Sequence, residues 1–201
     1  MGRVVVTRVV VTGIGAISAL GANAAEFWRG LSEGRCGIAQ LEGFPADRLP
    51  VKVGAQVRGF DPARHFDPKR VDLLDRFSQF ALVAAREAVA DAGLSFGGGL
   101  GARTAVVMGA GMAGKITEDE SYYQLYAQGQ QRFSPFIIPR SMPSAAASQI
   151  TMEFGITGPG LAISTACAAS THATGYAFTL VRSGVVEAAL AGGSEAPFTF
   201  G

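Results

Sequence analysis

Charge is scarce in this chain: 16% of its 201 residues are Asp, Glu, Lys or Arg against 48% apolar, and 17 basic residues nearly balance 16 acidic ones. A net charge of +1, with the arginines scattered rather than clustered, gives no general pull toward nucleic acid or an acidic membrane surface. Cysteine is scarcer still. Cys36 and Cys167 cannot build a disulfide framework or a metal-ligand set, so a reducing cytoplasm is expected, without metal or cofactor. No apolar run reaches the roughly 20 residues that cross a bilayer, and Met1-Gly2-Arg3 leads into Val/Thr-rich sequence with no signal-peptide h-region. Secretion and membrane insertion are not expected. What remains is enough apolar sequence for one well-buried domain, and 27 glycines, which imply many sharp turns and close backbone approaches.

Residues 3–7 (RVVVT) are repeated at once as residues 8–12, and β-branched residues at this density predict a buried strand, with one of the two copies open to being an extension outside the fold. Asn23 followed by Glu26 has capping-box spacing, Phe27 and Leu31 give an apolar face, and Gly34 is placed to end that helix. Residues 36–68 read as loop with a short strand at 51–57. Over residues 75–92, Phe77, Phe80, Ala81, Ala84 and Ala88 recur at the helical period and Gly93 stops the run. Strands are expected at 104–108, 161–165 and 187–191, with helices at 143–154 and 167–182, and all but the 161–165 strand are stopped by a glycine. That alternation is the signature of an α/β domain with a largely parallel sheet.

The sharpest chemical feature is Ile163-Ser164-Thr165-Ala166-Cys167-Ala168-Ala169-Ser170, where a strand runs into a helix with cysteine at the join. The first turn of a helix carries unpaired N–H groups and the positive end of the dipole, which favour a thiolate over a thiol. The same N–H groups can stabilise an oxyanion on an attacked thioester. Local sequence leaves a second reading open, in which Cys167 is one more small buried residue in an Ala-rich helix start.

Gly158-Pro159, Ile163, Thr165-Ala166-Cys167 and His172 together resemble the nucleophile segment of the β-ketoacyl-(acyl carrier protein) synthases. The resemblance runs in order along the chain, through residues 9–15 (VVVTGIG), 109–114 (GAGMAG), 134–139 (SPFIIP) and 191–195 (AGGSE), and is nearest to the elongating condensing enzymes. It implies the amino-terminal half of the thiolase-like fold, a mixed, largely parallel sheet with helices on both faces, spanning residues 1–201 as one domain with the carboxy-terminal half absent. It also implies a decarboxylative Claisen condensation in fatty acid or polyketide synthesis. Cys167 would carry the acyl group and malonyl-carrier protein would supply the extending carbanion. By matching positions, Met112 and Ile137 would line the acyl pocket, and Lys69, Arg70 and Arg132 would fall near the carrier-docking region. Acyl carrier protein, and a second copy or a complementing carboxy-terminal chain, are the implied partners.

The family's catalytic histidines have no counterpart here. His172 lies five residues after Cys167, about 140° around a helix, so a packed or hydrogen-bonded place is expected for it, and an exposed one for His65. Two rivals remain. One is a non-catalytic subunit that sets chain length, which the retained cysteine disfavours. The other is a nucleotide-binding oxidoreductase, since Gly109-x-Gly111-x-x-Gly114 fits the dinucleotide fingerprint, although no acidic residue falls in residues 124–143 where the ribose partner belongs.

Overall fold

The computed structural model describes residues 8–43 and 50–199. The first copy of the doubled run, residues 3–7, lies outside the described residues. The second copy corrects the expectation of a buried strand: residues 8–12 belong to no sheet, and Val10 and Val11 are exposed. β-branched sequence favours an extended chain, but a strand also needs a neighbour's N–H and C=O groups, and no described strand lies alongside.

Helix α1 (Ala24–Ser32) begins as its sequence requires. Asn23 Oδ1 accepts from the Glu26 N–H at 2.8 Å, and the Glu26 carboxylate reaches back to the Ala22 N–H at 2.9 Å, closing the box one residue ahead of the cap. Strands β1 (Ala39–Gln40) and β2 (Val53–Gly54) form an antiparallel pair, so the strand expected over 51–57 shrinks to the two residues that find partners. Sequence reading missed α2 (Pro68–Val71), although Asp67 accepting from the Lys69 N–H and Pro68 in the first turn are ordinary start signals.

The frame is α3 (Arg76–Asp91), α6 (Ala145–Phe154), α7 (Ala169–Arg182) and three parallel strands, β3 (Thr104–Gly109), β4 (Gly160–Ile163) and β5 (Ala188–Gly193), in the order β4-β3-β5. Central β3 is buried throughout, and its alternating side chains serve two cores. Val106 and Met108 join Phe77, Leu82 and Ile150 on the α3 and α6 side, whereas Ala105 and Val107 meet Ala173 and Ala177 of α7 on the other. Helices therefore cover both faces, as expected of this α/β architecture.

Two glycines seat the amino-terminal segment. A Cβ on Gly13 or Gly15 would lie 2.1 or 1.9 Å from the carbonyl oxygen of Ala88 or Ala84, so this backbone rests directly on α3. Between β3 and α6 the chain forms α4 (Lys115–Tyr122), a π-helical turn (Tyr123–Ala127) and α5 (Ile137–Ser141), which the sequence reading left unassigned.

Glu153 ties three helices together. Arg86 Nε reaches it at 2.5 Å, Arg70 pairs with its other oxygen, and the side chain is 15% exposed. Burial pushes the Glu153 carboxyl up, but the hydrogen bonds and charges of Arg86 and Arg70 outweigh it and hold the group below the ordinary 4.5. A depressed carboxyl stabilises the fold above its unfolded value and loses that contribution as pH falls through the folded value. Glu153→Gln is therefore expected to lower stability by about 1–2 kcal/mol near neutrality. Its unfolding midpoint should converge on the unsubstituted chain's as pH drops below 4.5. A deficit that stays constant in acid would rule this linkage out.

Candidate functional site

Strand β4 ends at Ile163 and the chain turns sharply before α7 begins at Ala169. The helix thus starts two residues later than expected, and Cys167 lies in the turn ahead of it. The turn is closed by Ala168 N–H donating to Thr165 C=O at 3.2 Å and Ala169 N–H to Ala166 C=O at 3.0 Å, neither of which uses the Cys167 N–H. Ala166 takes a left-handed conformation, φ +51°, which costs an L residue roughly 1–2 kcal/mol. Strain of this kind persists only where the surroundings over-determine it. Cys167 is a free, exposed thiol, so the burial required by its bland reading is not found. Cys36 is also free and exposed, in the loop after α1.

The elbow is held by close approaches that only glycine permits. A Cβ on Gly109 would lie 2.4 Å from the Ala169 carbonyl carbon, and one on Gly193 would lie 2.5 Å from Ser170 Cβ. The start of α7 therefore sits flush on the carboxyl ends of β3 and β5, where α/β sheets place their chemistry.

Beside it runs the turn from Gly109 to Gly114. The Glu195 carboxylate accepts from the Gly111 N–H and, at 3.2 Å, from the Met112 N–H. These are N–H groups that a dinucleotide pyrophosphate would need, so the fingerprint match carries no phosphate site here. Below the turn, the Asp75 carboxyl is 1% exposed: Oδ1 caps α3 at the Phe77 N–H, 3.2 Å away, and Oδ2 accepts from the Thr117 N–H at 2.9 Å and hydroxyl at 2.6 Å.

Two cavities flank this region. One, of about 390 Å³, lies among Arg76, Gln79, Arg140 and Glu195, and a second, of about 300 Å³, separates residues 15–18 from the end of β5. Cys167, Met112 and Ile137 line neither. Met112 is exposed on the glycine turn, and Ile137 is half-buried at the start of α5.

The three basic candidates differ. Lys69 and Arg132 are exposed, whereas Arg70 is engaged by Glu153 and lies over the Phe66 ring. His172 corrects its expectation, because its side chain is exposed and holds no hydrogen bond among the described residues. His65 is exposed, as expected, and stacks on Phe60 at 5.1 Å. Sequence reading did not assign Glu195, Asp75 or Thr117 to the site. The Glu195 tie spans 84 residues, and its only local signal is a carboxylate two residues after a strand-ending glycine pair.

Among the described residues no helix is long and apolar enough to cross a membrane. Residues 6–200 match the family described as beta-ketoacyl synthase, N-terminal domain. The 3-oxoacyl-[acyl-carrier-protein] synthase 2 of Staphylococcus aureus strain N315 is 37% identical over 192 residues, covering 96% of this chain and 46% of that protein. Nodulation protein E of Rhizobium sp. strain N33 is 38% identical over 193 residues, with 96% and 48% covered. A solved structure of the ishigamide ketosynthase/chain length factor superposes with a TM-score of 0.85 at 32% identity, covering 96% of this chain and 48% of that one. The chain spans about half the length of the curated relatives it matches.

Proposed function

Since the chain belongs to the β-ketoacyl synthase family, matching its N-terminal domain, we propose that it contributes the acyl-carrying half of a condensing enzyme that joins a Cys167-bound acyl group to malonyl-acyl carrier protein. The observation that carries this reading is the exposed thiol at a strained strand-to-helix elbow, set at the carboxyl end of a parallel sheet. The thiol sulfur would attack the carbonyl of a carrier-bound acyl thioester, expelling the carrier thiol. Decarboxylation of malonyl-carrier protein would then supply the carbanion that takes the acyl group from sulfur, giving a β-ketoacyl chain two carbons longer. The Cys167 N–H is one donor for the oxyanion formed at each attack.

The remaining acid–base groups of such a site have no counterpart among His65 and His172, so they come from a carboxy-terminal half, within a longer chain or as a partner. Exposed large apolar side chains support this, among them Tyr176 and Phe178 of α7 and Leu161 of β4. Met112 and Ile137 are proposed as acyl-pocket residues, and Lys69, Arg132 and Arg70 as the basic face toward an acidic carrier protein, with Arg70 the weakest because Glu153 already holds it. A homodimer in the cytoplasm completes the proposal. A chain-length-setting subunit has no need of a thiol at this elbow.

Iodoacetamide separates these readings. A nucleophile at the elbow is expected to alkylate Cys167 well ahead of Cys36, since both are exposed and free. Equal rates would remove the catalytic assignment.

A further inference from the structure

The glycine turn beside the elbow is held by a carboxylate for which the condensation chemistry has no use. Glu195 Oε1 accepts from the Gly111 N–H, and the Met112 N–H lies 3.2 Å from both Oε1 and Oε2. The preceding residue adds two ties: Ser194 N–H donates to Gly109 C=O at 3.1 Å, and its hydroxyl to Phe77 C=O at 2.6 Å. The end of β5 is thereby stitched to β3, to α3 and to the turn. The Glu195 tie also reaches the elbow. A Cβ built on Gly111 would lie 3.3 Å from Glu195 Oε1 and 3.6 Å from Ala166 Cα, so Gly111 neighbours both the carboxylate and the left-handed residue preceding Cys167.

We propose that Glu195 is a positioning residue for Cys167, acting as the hydrogen-bond acceptor that keeps the Gly111–Met112 turn packed on Ala166. The inference rests on Cys167 being the reactive thiol. With the acceptor gone, the two N–H groups turn to water and the turn lifts from the elbow. Ala166 then leaves the left-handed region, which an L residue abandons when packing allows. Cys167 swings off the amino end of α7 and loses the N–H groups and dipole that assist it there.

The test is the ratio of iodoacetamide alkylation rates at Cys167 and Cys36 in the full chain, resolved by peptide mass spectrometry and read beside the unfolding temperature. In Glu195→Ala the ratio is expected to fall about tenfold, the order of one charge-assisted hydrogen bond. Glu195→Gln, whose carbonyl oxygen can still accept from both N–H groups while its amide faces solvent, is expected to stay within about threefold of the unsubstituted chain. Glu153→Gln, which loosens helices away from the elbow, is expected to lower the unfolding temperature and leave the ratio unchanged. An unchanged ratio in Glu195→Ala overturns the positioning role, as does a loss in Glu195→Gln equal to that in alanine. No preference for Cys167 in the unsubstituted chain overturns the nucleophile assignment instead.

Discussion

Gly109→Ala is expected to destabilise the fold by about 3 kcal/mol, at the upper end of the usual cost of overpacking. The added methyl would lie 2.4 Å from the carbonyl carbon of Ala169, 2.5 Å from its oxygen and 2.5 Å from the Ser170 nitrogen. All are backbone atoms at the start of α7, so no side-chain rotation makes room. The helix must lift from β3, and the Ala173 and Ala177 contacts with Ala105 and Val107 open with it. A loss of this size lowers the unfolding temperature by roughly 6–12 °C for a domain of this length. Gly192→Ala is the matched control, since a Cβ there meets nothing within 4 Å. Similar midpoints for the two variants would show that α7 does not sit on β3 as described.

Asp75→Ala is expected to cost a comparable amount, about 3 kcal/mol, for a different reason. Its carboxyl is the shared acceptor for the Phe77 N–H at the start of α3 and for the N–H and hydroxyl of Thr117 in α4. Thr117 is 2% exposed, so water does not readily replace the lost partner, and buried donors without acceptors carry their full desolvation cost. The companion variant Thr117→Val is expected to cost less, because it removes the hydroxyl and leaves only one hydrogen bond unmade. Chemical denaturation of the two variants and their double mutant checks this. Strictly additive losses would contradict a direct Asp75–Thr117 coupling.

The contrast between these sites shows which parts of the structure were legible in the sequence. Helix α3 could be read because its information is local: Asp75 caps it, Phe77, Phe80 and Ala81 keep the helical period into the core, and Gly93 stops it at φ +62°. The elbow could be read for the same reason, since strand, small residues, cysteine and helix follow one another directly. The second role of Asp75, as a clamp on Thr117 across 42 residues, was not legible because a capping residue looks the same with or without a distant partner. Glu195 was missed for the same reason.

Residues 8–12 failed in the opposite direction. Their composition suits a strand, but pairing is decided by what lies alongside, and no described strand pairs with them. Helix α4 was missed because its polar sequence, KITEDESY, has little apolar periodicity, and Thr117 is its one buried residue. Its position is set by Asp75 together with Ile116, which packs against the larger core.

The central claim is that Cys167 accepts an acyl group. It is tested most directly by intact-mass measurement of the folded chain after incubation with a long-chain acyl-carrier-protein thioester, beside Cys167→Ala. A mass gain of one acyl group in the unsubstituted chain, absent from Cys167→Ala, is the expected result. The same gain in Cys167→Ala, or an acyl group carried on another residue of the unsubstituted chain, would contradict the assignment of Cys167 as the acyl-carrying nucleophile.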